Sequence, residues 1–220
     1  MSNLEFYSEP SQDCILCPRL NRFLQEWRLV QPLWNNAPVP LFFPADGIRK
    51  TRLLVIGLAP GLRGANRTGR PFTGDYAGDL LYATLKEFGF AHGMFEARPD
   101  DTLELIETAI VNAVRCVPPQ NKPVRQEINN CRRFFAPLLQ NLPQLRAVIT
   151  LGAIAHWSTI KALGRPASHH PFGHGQQIDI NHLRIFSSYH CSRYNTNTGV
   201  LTKAMFHDVF QAARTYLDQL

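Results

Sequence analysis

The sequence predicts an α/β fold: three layers, αβα, built on a central, mostly parallel four-stranded sheet and preceded by an N-terminal extension. Three observations carry this. Four short runs, RLLVI (52–56), TAIVNAV (108–114), RAVITL (146–151) and LRIFSS (183–188), are rich in the aliphatic and β-branched residues of buried strands. Each is followed by apolar residues at helical spacing, and that alternation makes a parallel sheet covered on both sides. Glycines and polar residues follow the strands rather than precede them, as expected where ligands bind at the carboxyl ends of a sheet.

Taken in order, residues 1–50 carry no comparable strand run, and we expect an extension packed on a single domain spanning 1–220. LNRFLQEWRLV places Leu20, Phe23, Leu24, Trp27 and Val30 on one helix face, and prolines 32, 38, 40 and 44 then make an extended connector. After the first strand Leu81, Leu85 and Phe88 share a face. After the second, Val124, Ile128, Cys131, Phe135 and Leu138 do so, with Pro137 set to kink or end that helix. Residues 153–163, stopped by Gly164, and 200–217, with Leu201, Met205, Val209 and Ala213 aligned, complete the pattern.

The totals narrow the partner. Of 220 residues 45% are hydrophobic and 18% charged, the balance of a folded protein, and 23 Lys+Arg against 17 Asp+Glu leave a net charge of +6. A basic surface favours an anionic partner such as nucleic acid. No apolar stretch is long enough to cross a bilayer and the first residues lack a secretory pattern, so the expected location is the cytoplasm, nucleoid-associated, with no membrane partner.

In a reducing compartment five cysteines argue for metal ligation before disulfides. Cys14 and Cys17 form a C-x2-C pair. Cys116 follows the second strand and Cys131 lies on the next helix, so four thiolates can meet and hold zinc or a [4Fe–4S] cluster. Spacing does not separate the two, and the plainer reading makes Cys131 a core thiol. Four ligands close a coordination sphere, which points to a structural metal-cluster extension stapled to the sheet.

The stretch GLAPGLRGANRTGRPFTGD (57–75) crowds glycines and arginines behind the first strand, a combination suited to phosphate. With NAVRCVPPQNKP and YHCSRYNTNTG it brings Arg63, Arg67, Arg70, Arg115, Lys122 and Arg193 to one rim. The stretch lacks the G-K-[ST] ending of a phosphate loop, which weakens a nucleotide-hydrolase reading.

The four cysteines, GLAPG with NRTGRPFTGD, NAVRCVPPQNKP and SSYHCSRYNTNTG resemble the uracil-DNA glycosylase superfamily, specifically its family-five or type-B enzymes, over residues 14–202. The resemblance implies a structural [4Fe–4S] cluster on Cys14, Cys17, Cys116 and Cys131, zinc being the lesser alternative. It implies a catalytic set of Asp75, His190 and Asn112, and a base pocket of Gly57, Ala59, Phe72, Asn112 and His190. His190 would donate to uracil O2 as negative charge develops on the leaving base, Asn112 would read its polar edge, and Phe72 would stack on the ring. Arg63, Arg67, Arg70, Lys122, Ser192, Arg193, Tyr194 and Asn195 would contact DNA, the last three filling the stack vacated by a flipped nucleotide. Each has a structural alternative: a buried His, a core amide or a core Phe.

Two positions depart from the wider superfamily. Ala59 stands where better-known members carry a water-activating aspartate, a loss shared by family-five enzymes, which leaves Asp75 to orient water or stabilise the oxocarbenium ion. Its structural alternative is capping the helix that starts near Gly78. Cys191 follows His190 where relatives have proline. The implied activity is monofunctional removal of uracil, and of other deaminated or oxidised bases, from double-stranded DNA by a monomer. The contrasting possibility is an iron–sulfur or zinc module that recognises DNA damage without cleaving it.

Overall fold

A computed structural model describes residues 6–220. Its main sheet has five strands in the order β4-β1-β5-β7-β6: β1 (Leu53–Gly57), β4 (Thr108–Asn112), β5 (Ala147–Leu151), β6 (Gln177–Ile180) and β7 (Leu183–Ser188); β2 (Ala91–His92) and β3 (Glu104–Leu105) pair as a separate short ribbon. All neighbours run parallel except β6, which is antiparallel to β7. Every residue of β1, β4 and β5 is buried, as expected for strands covered on both faces.

The fifth strand corrects the expectation of four. β6 is an edge strand whose residues are mostly solvent-facing, with Asp179 between Ile178 and Ile180, so it carries too little apolar signal to read as buried. Register is set by a tight turn in which Asn181 adopts a left-handed conformation (φ 56°).

Alternate residues of each strand serve opposite faces. Beyond the short α2 (Ala65–Thr68), Leu53 and Val55 pack with Leu81 and Leu85 of α3 (Tyr76–Glu87) and with Phe206 and Phe210 of α8 (Lys203–Asp218). Leu54 and Ile56 pack with Leu138 and Leu139 of α5 (Ala136–Asn141) and with Ala155 and Ile160 of α6 (Ala153–Ala162). The helical run expected after β4 is divided into α4 (Arg125–Cys131), a 3-10 turn and α5, and the break precedes Pro137, which occupies the first turn of α5 where its missing N–H costs nothing. Likewise the last helix begins at Lys203, capped by Thr202, behind a separate α7 (Arg193–Asn197).

In the extension, α1 (Pro18–Val30) buries Leu20 and Leu24 against Val114, Cys116 and Val117. Trp27 stacks on Trp34, whereas Val30 is 61% exposed and does not share the buried face. Arg19 makes a bidentate pair with Glu127 of α4, and Phe42 bridges to Ile110 of β4, so the extension is tied to a helix at one end and to the sheet at the other.

Candidate active site

The parallel strands deliver their last residues to one edge. Gly57 and Asn112 are paired in register there, and His190 lies just beyond β7. A methyl group at position 57 would overlap both the Asn112 amide oxygen and the Phe72 ring, so glycine is what permits this approach. Phe72 itself is held at φ 53°, rare for an aromatic residue, and Gly78 makes room for its carbonyl.

A small pocket of about 30 Å³ is lined by Ala59, Phe72, Asp75, Asn112 and His190 among others. It shares Ala59, Gly61, Asp75, Ala77 and His190 with a cleft of about 540 Å³ that also includes Leu58, Tyr76, Asn121, Ser192 and Arg193. The Phe72 and His190 rings lie 6.1 Å apart, 27° from parallel. Asn112 is 3% exposed and its Oδ1 has no hydrogen-bond partner among the described residues. Such an orphan is costly, so it marks a position where a ligand donor would be welcome.

Burial lowers the His190 pKa to about 4, so the ring is neutral near pH 7 and can donate without releasing a formal charge. Its carbonyl accepts from Asn195 Nδ2 at 2.8 Å, which fixes the following loop, and Ser192 caps α7 by accepting from Asn195 N. The Asp75 carboxylate accepts from Gly78 N at 3.2 Å as the N-cap of α3, while facing the cleft. Burial raises its pKa above the ordinary carboxylate value, which makes it a stronger base when ionised. Capping and facing the cleft are therefore compatible for this residue.

Arg193 lines the cleft; Arg63, Arg67 and Lys122, in the segments that follow β1 and β4, are exposed, and Tyr194 is 74% exposed. The Arg193 guanidinium lies over the Tyr76 ring. Two arginines assigned to this rim belong elsewhere. Arg70 is buried in a bidentate pair with Asp101, leaving no free fork for phosphate. Arg115 is fully buried, bonded to the Val39 carbonyl, Tyr7 and Glu9. Asn121 and Tyr76 line the cleft without having been singled out. Asn121 adopts φ 56°, and an Asn between Gln and Lys in a proline-bounded loop was the available sign.

Cys14, Cys17, Cys116 and Cys131 line one small cavity beneath α1, all with free thiols. Cys131 Sγ accepts from Arg115 N and Cys17 Sγ from Asn130 Nδ2. Burial, with the other cysteines adding to it, pushes the Cys116 thiol up and that of Cys131 to about 11. Thiolates crowded this way need a cation to be ionised. Among the described residues no three His, Cys, Asp or Glu side chains are grouped as ligands of one ion. Cys191 is separate: fully buried, it donates to the Ala77 carbonyl at 3.5 Å, and burial raises its pKa, so it behaves as a core thiol. No helix among the described residues is long and apolar enough to cross a membrane.

Comparison with protein families matches residues 44–214 to the uracil DNA glycosylase superfamily. Among curated proteins, the chain is 41% identical to the type-5 uracil-DNA glycosylase of Thermus thermophilus, over 91% of this chain and 92% of that one. It is 35% identical to the type-5 enzyme of Pyrobaculum aerophilum, over 91% and 88%. A type-4 uracil-DNA glycosylase of the latter organism is 32% identical over 56% of each chain.

Proposed function

Since the chain belongs to the uracil DNA glycosylase superfamily, within the type-5 enzymes, we propose that its pocket excises uracil, and other deaminated or oxidised bases, from double-stranded DNA without a lyase step. It is a hydrolase acting on an N-glycosidic bond. The observation that carries the substrate reading is the unpartnered amide oxygen of Asn112, buried between Phe72 and His190. Uracil presents an N3–H donor flanked by two carbonyl acceptors. An amide supplies the complementary acceptor and donor side by side, whereas cytosine reverses both partners.

In the reaction, the bond from C1′ to N1 breaks and its electron pair leaves with the base. Neutral His190 donates to O2 as negative charge gathers there, and Phe72 stacks on the ring. Water adds to the electron-poor C1′ and its proton passes towards Asp75, because Ala59 offers no carboxylate. Arg63, Arg67, Lys122 and Arg193 hold the flanking phosphates, while the exposed Tyr194 enters the vacated stack and Asn195, bonded to the His190 carbonyl, holds the loop that presents it. All of these residues belong to one chain, so a monomer suffices.

The same reading gives Cys14, Cys17, Cys116 and Cys131 a [4Fe–4S] cluster rather than zinc. Four thiols lining one cavity, all of them the soft sulfur donors that such a cluster uses, support it. When bound, the cluster supplies a cross-link between the extension and the sheet.

Labelled duplexes with one U·G, U·A or hypoxanthine·T pair test the activity. We expect strand breaks only after alkali, and their loss in His190→Ala. Tight binding with intact DNA would instead identify a damage-recognition module.

A further inference from the structure

Arg70 and Asp101 line neither the pocket nor the cleft, yet they form a buried, bidentate ion pair two residues from Phe72. Their side chains are 6% and 0% exposed. The Asp101 carboxylate receives both Nη groups of Arg70 at 2.7 Å, together with the amides of Glu96 and Leu103. Burial pushes its pKa up, but the bonds from Arg70 and the two amides outweigh this and hold the carboxyl below its ordinary value. The guanidinium sits among the rings of Phe42, Tyr82 and Phe95, between 5.3 and 5.7 Å from their centroids.

What this anchored cation holds is the turn carrying Phe72. Arg70 Nε donates to Thr73 Oγ1 at 2.9 Å, and Tyr82 Oη donates to the Pro71 carbonyl at 2.6 Å. Residues 70, 71 and 73 are thus fixed from one side, and Phe72 lies between them in its left-handed conformation. An aromatic residue keeps that backbone only where its surroundings impose it. A planar, bidentate pair imposes direction as well as distance, which an apolar contact does not.

We propose that Asp101 is a positioning residue for base excision: through Arg70 it fixes the 70–73 turn and so sets the Phe72 ring against the base pocket. The inference rests on the reading of Phe72 as the base-stacking side chain. The motif arginine serves the interior of the site, and the DNA backbone is left to its neighbours.

A double-mutant cycle tests this with single-turnover rates on a U·G duplex. Asp101→Asn is expected to lose at least about tenfold in the native background and less than about twofold in Phe72→Ala, because the coupled partner is then already gone. Equal losses in both backgrounds would overturn the proposal. Should Asp101→Asn fail to fold, the paired Arg70→Met and Asp101→Leu replacement removes both charges at once, a change folds commonly tolerate. It is expected to keep its melting temperature and the salt slope of DNA binding while losing excision. A slope smaller by about one would mean Arg70 contacts phosphate after all. Fluorine NMR of fluorophenylalanine-labelled protein, with the Phe72 signal assigned by its absence in Phe72→Leu, reads position without activity. That signal should shift and broaden in the paired variant, and an unchanged signal would also overturn the proposal. If the native protein excises no uracil, the reading of the site fails, and the fluorine signal still decides whether the pair positions Phe72.

Discussion

Gly57 and Asn112 sit opposite each other at the carboxyl ends of β1 and β4, and the Asn112 amide oxygen occupies the space a side chain at position 57 would need. The amide that we propose reads the base is therefore held by an absence: Asn112 Oδ1 and the Phe72 ring both occupy space that a Cβ at residue 57 would fill.

Gly57→Ala should accordingly displace both groups. We expect a destabilisation of about 1–3 kcal/mol from overpacking and a fall in uracil excision of about a hundredfold or more. Thermal melts and single-turnover rates measured on one preparation check this, and a fully active variant would refute the close approach.

Asn112→Leu should separate stability from activity. The buried oxygen has no partner, so an apolar side chain of similar size removes a desolvation cost and leaves stability unchanged or raised by about 1 kcal/mol. Excision should fall by about two orders of magnitude or more, since the site loses its reading of the base edge. A large drop in melting temperature would show that the amide is structural.

The pH profile follows from His190. Its folded pKa, about 4, lies below the ordinary histidine value of about 6.5, so the ring remains neutral as pH falls through that value. Excision should show no inflection from His190 near pH 6.5 and should lose this group's contribution only towards pH 4. Stability moves differently: below about pH 6.5 the unfolded chain takes up the proton first, so His190 makes folding progressively less favourable between 6.5 and 4. Comparison with His190→Gln isolates both effects, and an inflection near 6.5 that the substitution abolishes would contradict the neutral ring.

For the cysteines, anaerobically purified protein should be brown, with iron in about fourfold molar excess. Cys116→Ser should bleach it, and proteolysis should then cut within residues 1–50 faster than in the parent. A colourless protein with one bound zinc would select the other metal. Neither metal in freshly made protein would remove the cluster reading.

Arg63→Gln and Arg67→Gln should each weaken binding to duplexes of any sequence and reduce the salt slope by about one. Binding isotherms across a salt series measure this, and an unchanged slope would move the phosphate contacts to Lys122 and Arg193.

Much of the fold is legible because strands covered on both faces are rich in apolar residues: β1, β4, β5 and β7 stand out as runs in the sequence. β6 does not, since an edge strand needs few apolar residues. The convergence of the motifs is legible too: residues expected to share a site, Asn112, His190, Phe72 and Asp75, line one pocket, and Cys14, Cys17, Cys116 and Cys131 line another.

What the sequence does not reveal is direction. Arg63, Arg67, Arg70 and Arg115 read alike as rim cations, and three-dimensional packing divides them: Asp101 and three aromatic rings draw Arg70 inward, Glu9 and Tyr7 enclose Arg115, and Arg63 and Arg67 stay in water. The partners that decide this are remote in the chain, Asp101 lying 31 residues from Arg70 and Glu9 106 from Arg115. A charge goes wherever its desolvation is compensated, and only the folded structure determines which distant groups are there to compensate it.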